Sequence, residues 1–244
     1  MAIRHWSISA AIIAVLTGSL LTLVHFETPP AHAKAVVSTG SYGSGTLGSW
    51  QGDNHVISSS TEVRHVVASD GVLLFGDSIA VQDGAALGRE LGTSFAQYSW
   101  AGQPTSAAVD ELAAWAATYG LPRRIVMAVG SNDIFDPPAF AAQVERAMRI
   151  AGPNRTVFWV DVQVSRTDQP PAVQVADQRN SEWIDLQLEQ AQLRHPNLRV
   201  VQWAEFLAAH PERLSTDLRD GRHTTVPAGQ NARNALILQA IQRG

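Results

Sequence analysis

From Gly71 onward, short runs rich in β-branched and aromatic residues alternate with longer Ala-rich stretches whose apolar residues recur at helical spacing. The runs are residues 72–75, 95–99, 124–129, 156–162 and 198–202, and the helical stretches are 79–91, 105–119, 138–150, 173–195 and a last one over 227–242. Strands that are apolar throughout, rather than at every second position, must be covered on both faces. Helices placed between them supply that cover and the long crossovers that parallel strands need. The pattern therefore predicts an α/β chain with a parallel sheet between helical layers. In such sheets reactive groups collect beyond the carboxyl ends of the strands.

Two of those ends, and the stretch just before the last helix, carry polar residues of chemical interest. The first run is followed by Gly76-Asp77-Ser78 and then a helix. A serine at a strand-to-helix turn projects its hydroxyl from the edge of the sheet, and the helix N-terminus offers free N–H groups to a developing anion. Helix capping by Asp77 or Ser78 is the competing reading, and the nucleophile elbow G-x-S-x-G is half met, because Ala80 stands in place of the second glycine. The run over 124–129 is followed by Gly130-Ser131-Asn132-Asp133, where an asparagine amide can donate to an oxyanion near Ser78. Near the C-terminus, Asp220-Gly221-Arg222-His223 spaces a carboxylate and an imidazole so that one ring nitrogen is held while the other faces the serine. Of the eight histidines, three lie in the first 33 residues, two precede proline and two fall in or beside a Gly/Ser-rich stretch, leaving His223 as the best base.

Composition narrows the chemistry. With no cysteine, disulfides, thiolate nucleophiles and Cys-ligated metal centres are excluded, so oxygen or nitrogen must carry any nucleophilic step. A net charge of −4 gives no electrostatic footprint for phosphate backbones, and nucleic acid is not an expected partner. No metal or cofactor is expected. Arg4 and His5 precede an apolar run to Val24, a polar stretch and Ala31-His32-Ala33, the order of a secretory signal cleaved after Ala33. The run is longer than a usual signal core, which leaves an uncleaved anchor open, and membrane contact is expected only in that case. Residues 34–70 read as a Gly/Ser-rich linker. Within it Gly43-x-Gly45-x-x-Gly48 matches a dinucleotide fingerprint by accident, having no strand before it and no helix after it.

Taken in order, Gly76-Asp77-Ser78, Gly102, Gly130-Ser131-Asn132-Asp133 and Asp220-x-x-His223 resemble the four blocks of the SGNH hydrolases, the GDSL-type esterases. The resemblance implies a three-layer α/β/α sandwich with a parallel, flavodoxin-like sheet of about five strands. It also implies Ser78 as nucleophile, His223 as general base and acid, Asp220 as its orienting carboxylate, and the Ser78 and Gly102 N–H groups with the Asn132 amide as an oxyanion hole. Gly102 lacks the asparagine often found before the family's glycine, and Ile79 replaces leucine after the serine. Residues 197–237 further resemble extracytoplasmic SGNH domains attached to membrane O-acyltransferases of bacterial envelope glycans. The implied function is a secreted serine esterase acting on an ester or acylated glycan. Alternatives are an O-acyltransferase, which the same residues would serve, and a non-catalytic glycan-binding protein, for which a serine and base in register have no use. Trp100, Asp161, Gln163 and Arg166 lie beside or after strand ends where substrate could pass. Packing competes with that reading for Trp100, and a loop charge pair competes for Asp161 and Arg166.

Overall fold

A computed structural model describes residues 42–92 and 94–244. The proposed signal over 1–33, its cleavage after Ala33 and the first part of the Gly/Ser-rich stretch lie outside the described residues. Among the described residues, no helix is long and apolar enough to cross a membrane.

Six strands form one sheet in the order β1-β3-β2-β4-β5-β6. They are β1 (His55–Ile57), β2 (Val72–Gly76), β3 (Phe95–Trp100), β4 (Arg124–Ala128), β5 (Thr156–Val160) and β6 (Leu198–Val201). Among the described residues eight α-helices surround them: α1 (Ser60–Ala68), α2 (Ser78–Leu91), α3 (Thr105–Tyr119), α4 (Pro137–Ala151), α5 (Pro171–Arg194), α6 (Trp203–Ala209), α7 (Leu214–Asp217) and α8 (Ala228–Arg243). All pairings are parallel except β1 with β3.

Alternation along each strand divides the core in two. Leu73 and Phe75 of β2, Ile125 and Met127 of β4, and Val157 and Trp159 of β5 face a layer made by α1, α3, α4 and α5. Val72 and Leu74, Val126 and Ala128, and Phe158 and Val160 face α2, α6 and α8. Both faces are dry, which explains why the strands read as continuous apolar runs rather than alternating ones. Fully buried Trp159, Trp203, Phe75, Phe140 and Phe158 lie in these two cores. Burying such a side chain contributes roughly 2 kcal/mol or more, so a chain without disulfides has ample apolar area to hold it together.

Residues 55–68 depart from the linker reading. His55–Ile57 pairs antiparallel with β3 through His55 opposite Trp100, adding a sixth strand to the expected five. Helix α1 follows at once, started by a capping box in which the Ser59 N–H donates to Glu62 at 2.7 Å and the Glu62 N–H donates to the Ser59 hydroxyl. Its Val63 and Val66 are buried. The surrounding serines and glycines masked a strand of only three residues and a helix whose apolar face is two valines wide.

Register places the chemistry. Gly76 at the end of β2 lies level with Ser99 of β3 and Ala128 of β4. The loops that follow these three strands therefore leave the sheet at one height, side by side.

Candidate active site

Helix α2 starts directly on the end of β2. Asp77 caps it, with Oδ1 accepting the Ile79 N–H at 3.0 Å. Its other oxygen accepts the hydroxyl of Ser131, which ties the turn after β2 to the turn after β4. Ser78 is thus left as the first residue of the helix, with its N–H outside the helical ladder and its hydroxyl free to point elsewhere. Of the two capping candidates Asp77 is the cap, and the Ser78 side chain takes no part in it.

The Ser78 hydroxyl lies 2.8 Å from Nε2 of His223, and Nδ1 of His223 lies 2.7 Å from Oδ2 of Asp220. The other carboxylate oxygen of Asp220 accepts the backbone N–H of His223 at 2.7 Å and of Arg222 at 3.1 Å. Partial burial works to raise the Asp220 carboxyl. The His223 backbone N–H, the imidazole and the Arg222 N–H outweigh it and hold the group below the usual carboxylate range. A charged Asp220 requires the proton on Nδ1, which leaves Nε2 as the acceptor for the Ser78 hydroxyl. The short loop depends on Gly221, whose φ is +76° and where a Cβ would stand 1.8 Å from the carbonyl oxygen of Ser165.

Helix α2 also holds this loop from the other side. Asp83, about one and a half turns beyond Ser78 and buried, receives the Thr224 hydroxyl at 3.0 Å, while the Gln82 amide donates to the Thr224 carbonyl at 3.0 Å. Gln230 and Asn234 of α8 donate to the same stretch of α2. One helix therefore carries the serine and anchors the residue next to the imidazole.

Three donors lie on the loops that follow β2, β3 and β4. The buried Asn132 amide spends one N–H on the Gln103 carbonyl at 3.1 Å and has a second to offer. Gln103 is itself buried and donates to the Gly76 carbonyl at the end of β2. Gly102 turns with φ +77°, and its N–H has no acceptor among the described residues. With the Ser78 N–H this makes two backbone donors and one amide on the loops after β2, β3 and β4.

The other residues singled out in the sequence are placed differently. Arg166 grips buried Asp177 with bonds of 2.8 and 2.7 Å and donates to the Ser44 carbonyl at 2.6 Å. It forms an ion pair, but with α5 rather than with Asp161. Asp161 is buried and accepts the Ala204 N–H of α6 at 2.7 Å. Burial and the neighbouring Glu205 and Asp185 carboxyls push it up. Neither is available to a substrate as a free charge. Trp100 remains near the site, stacked on His55 at 4.1 Å and edge-on to Trp50 at 5.9 Å. The Cβ of Trp50 would lie 2.9 Å from a Cβ placed on Gly102, so the segment before β1 packs against the third loop.

Asp83, Gln103 and Trp50 were not visible as site residues in the sequence, because each acts through a contact distant in the chain. Asp133 fixes the loop after β4. It does so by accepting the N–H and hydroxyl of Thr105 at 3.0 and 2.7 Å, joining the turn after β4 to the start of α3. Burial pushes its carboxyl up to about 7 against the pull of those two bonds. Among the described residues no group of three or more His, Asp or Glu side chains is arranged to hold a metal ion.

No protein-family model matches the chain, and no curated protein matches it in sequence. Solved structures do. A member of the lipolytic G-D-S-L family from Veillonella parvula superposes with a TM-score of 0.60 at 18% identity, covering 71% of this chain and 98% of that one. The C-terminal catalytic domain of peptidoglycan O-acetyltransferase A from Streptococcus pneumoniae, solved with a methylsulfonyl adduct, gives 0.59 at 17% identity over 72% and 94%. A lipase/acylhydrolase from Enterococcus faecalis gives 0.59 at 18% over 70% and 95%. The chain has the three-layer fold of the SGNH and GDSL hydrolases.

Proposed function

We propose that this chain is a secreted serine acyl hydrolase that cleaves carboxylic esters through an acyl-enzyme, with O-acyl groups on envelope glycans as its substrates. The observation that carries the reading is the unbroken relay from the Ser78 hydroxyl through His223 to Asp220, at 2.8 and 2.7 Å, on a fold shared with acylhydrolases. The donors around it give the relay a purpose that a binding module would not need.

In the proposed cycle His223 Nε2 takes the Ser78 proton as the oxygen attacks the ester carbonyl. Asp220 supports the imidazolium that forms. The carbonyl oxygen becomes an anion, received by the N–H groups of Ser78 and Gly102 and by the second N–H of Asn132. Collapse expels the alcohol, which takes the proton from His223. A water molecule then gives its proton to His223, attacks the acyl-enzyme and releases the acid with Ser78 restored.

Replacing that water by a sugar hydroxyl turns the cycle into acyl transfer. The likeness to the peptidoglycan O-acetyltransferase domain of S. pneumoniae favours this second reading. Release of p-nitrophenol from acetyl, butyryl and octanoyl esters, compared between the protein and Ser78→Ala, tests the first. Release that vanishes with Ser78 supports a serine esterase, and the chain-length profile separates deacetylation from lipid chemistry. Release that persists in Ser78→Ala removes Ser78 as the nucleophile. Release of p-nitrophenol from the acetyl ester that appears only when a glycan is added, with the acetyl group recovered on a glycan hydroxyl, selects transfer.

A further inference from the structure

An acyl-enzyme cycle divides its substrate into two sides. The acyl group and its oxyanion face Ser78, Gly102 and Asn132. The alcohol oxygen receives its proton from His223 and so leaves on the side of the loop bearing Asp220 and His223. Beside that loop lies a groove of about 420 Å3, a volume typical of small-molecule sites.

The walls of the groove are continuous with the catalytic loop. Arg219 and Gly221, which flank Asp220, form one side. Gln163, Ser165 and Thr167 after β5 form another, and they are fastened to the first by the Ser165 N–H donating to the Gly221 carbonyl at 2.8 Å and the Thr167 N–H to the Asp220 carbonyl at 3.1 Å. Gln178 of α5 and Ser215 of α7 complete the lining.

The chemistry of this lining selects its ligand. It presents two carboxamides, three hydroxyls and one guanidinium, with no carboxylate among the lining residues. An acyl chain laid here would strip water from these groups and return no hydrogen bond. A polyhydroxylated ring would replace the water bonds one for one. Leu214 and Leu218 add the small apolar surface that the C–H face of a pyranose can cover. We propose that this groove is the alcohol subsite and that it takes a sugar ring of a glycan, the ring whose ester Ser78 attacks. The assignment of sides rests on the proposed Ser78–His223 chemistry, while the polar lining stands without it.

The test is therefore made on binding as well as turnover. Full-length Ser78→Ala protein is titrated by calorimetry with chitotriose, cellotriose and maltotriose, alone and combined with Ser215→Trp, which fills the groove, or Gln178→Ala, which removes an amide. Both positions are exposed, and circular dichroism monitors their folding. At least one trisaccharide is expected to bind, and both variants to weaken it by about tenfold or more. Absence of binding by all three sugars up to about 10 mM overturns the proposal. So does binding that neither substitution alters. Hydrolysis of p-nitrophenyl acetate by the parent protein reports separately on the triad. Sugar binding without hydrolysis would leave the groove standing and remove the esterase reading; hydrolysis without groove-dependent sugar binding would do the reverse.

Discussion

Asn132 illustrates how one side chain is divided between structure and chemistry. Its amide has two N–H groups, and the Gln103 carbonyl takes one of them, which fixes the plane of the amide and aims the other. Loss of an aimed donor to an oxyanion costs about 3 kcal/mol, or two to three decades in rate. Asn132→Ala is accordingly expected to reduce kcat on p-nitrophenyl acetate by roughly that factor while leaving measurable turnover. An unchanged rate would remove it from the oxyanion hole. In the proposed cycle Asp220 acts one step further from the ester. Because its carboxyl is held below the usual range, it stays ionised until well into acid. Asp220→Asn would favour the wrong tautomer of His223, and a fall in kcat of about four decades is expected. The residues themselves were legible in the sequence, since Asp and His three apart need only a short loop to meet. Gln103 was not, because its two partners, Gly76 and Asn132, come from other loops.

At the scale of elements, α2 is the bearing of the site. Ser78 sits at its first residue and Asp83 grips Thr224 about one and a half turns later, so the distance between the Ser78 hydroxyl and the His223 imidazole is set across one helix and one loop. Asp83→Ala would free Thr224 and leave Arg233, buried and 3.9 Å away, without its carboxylate. A stability loss on the order of 3 kcal/mol is expected, with kcat falling more than KM rises. Denaturant unfolding together with steady-state kinetics would measure both, and a KM effect alone would contradict a positioning role. Gly221→Ala tests the loop from its other side. The added methyl meets the Ser165 carbonyl in a backbone conformation that alanine resists, so both the melting temperature and kcat should drop. Sequence periodicity anticipated α2, α3, α4, α5 and α8 and the five parallel strands. It missed β1, α1, α6 and α7, because elements of three to nine residues carry little periodic signal.

For the molecule as a whole, the buried carboxyls set the response to pH. Burial, above all, pushes Asp133 up to about 7 and Asp185 up to about 8, and raises Asp161 as well. A raised carboxyl favours the protonated folded state. Its stabilising contribution is complete below about pH 4 and is lost as pH climbs through the folded value. Groups held low act in the opposite sense: the Arg123 N–H holds down Asp70, the Arg194 guanidinium holds down Glu145, and their contribution disappears on the acid side. Maximal stability is therefore expected in the acid range near pH 5, with the melting temperature falling from there to about pH 8 and levelling off above it. Asp185→Asn keeps an oxygen for the Val162 N–H, now at 2.8 Å, and should flatten that fall. An unaltered slope in the melting curves would show that Asp185 is not its source. Sequence by itself determined the layered α/β plan and the residues with reactive side chains, because periodicity and residue chemistry are local properties of a chain. Tertiary structure alone decided that Arg166 serves Asp177, that Asp161 is spent on α6, that residues 55–68 join the sheet, and that a polar groove flanks the Asp220–His223 loop. Each depends on which distant backbone arrives beside a side chain, and that is settled by strand order and packing.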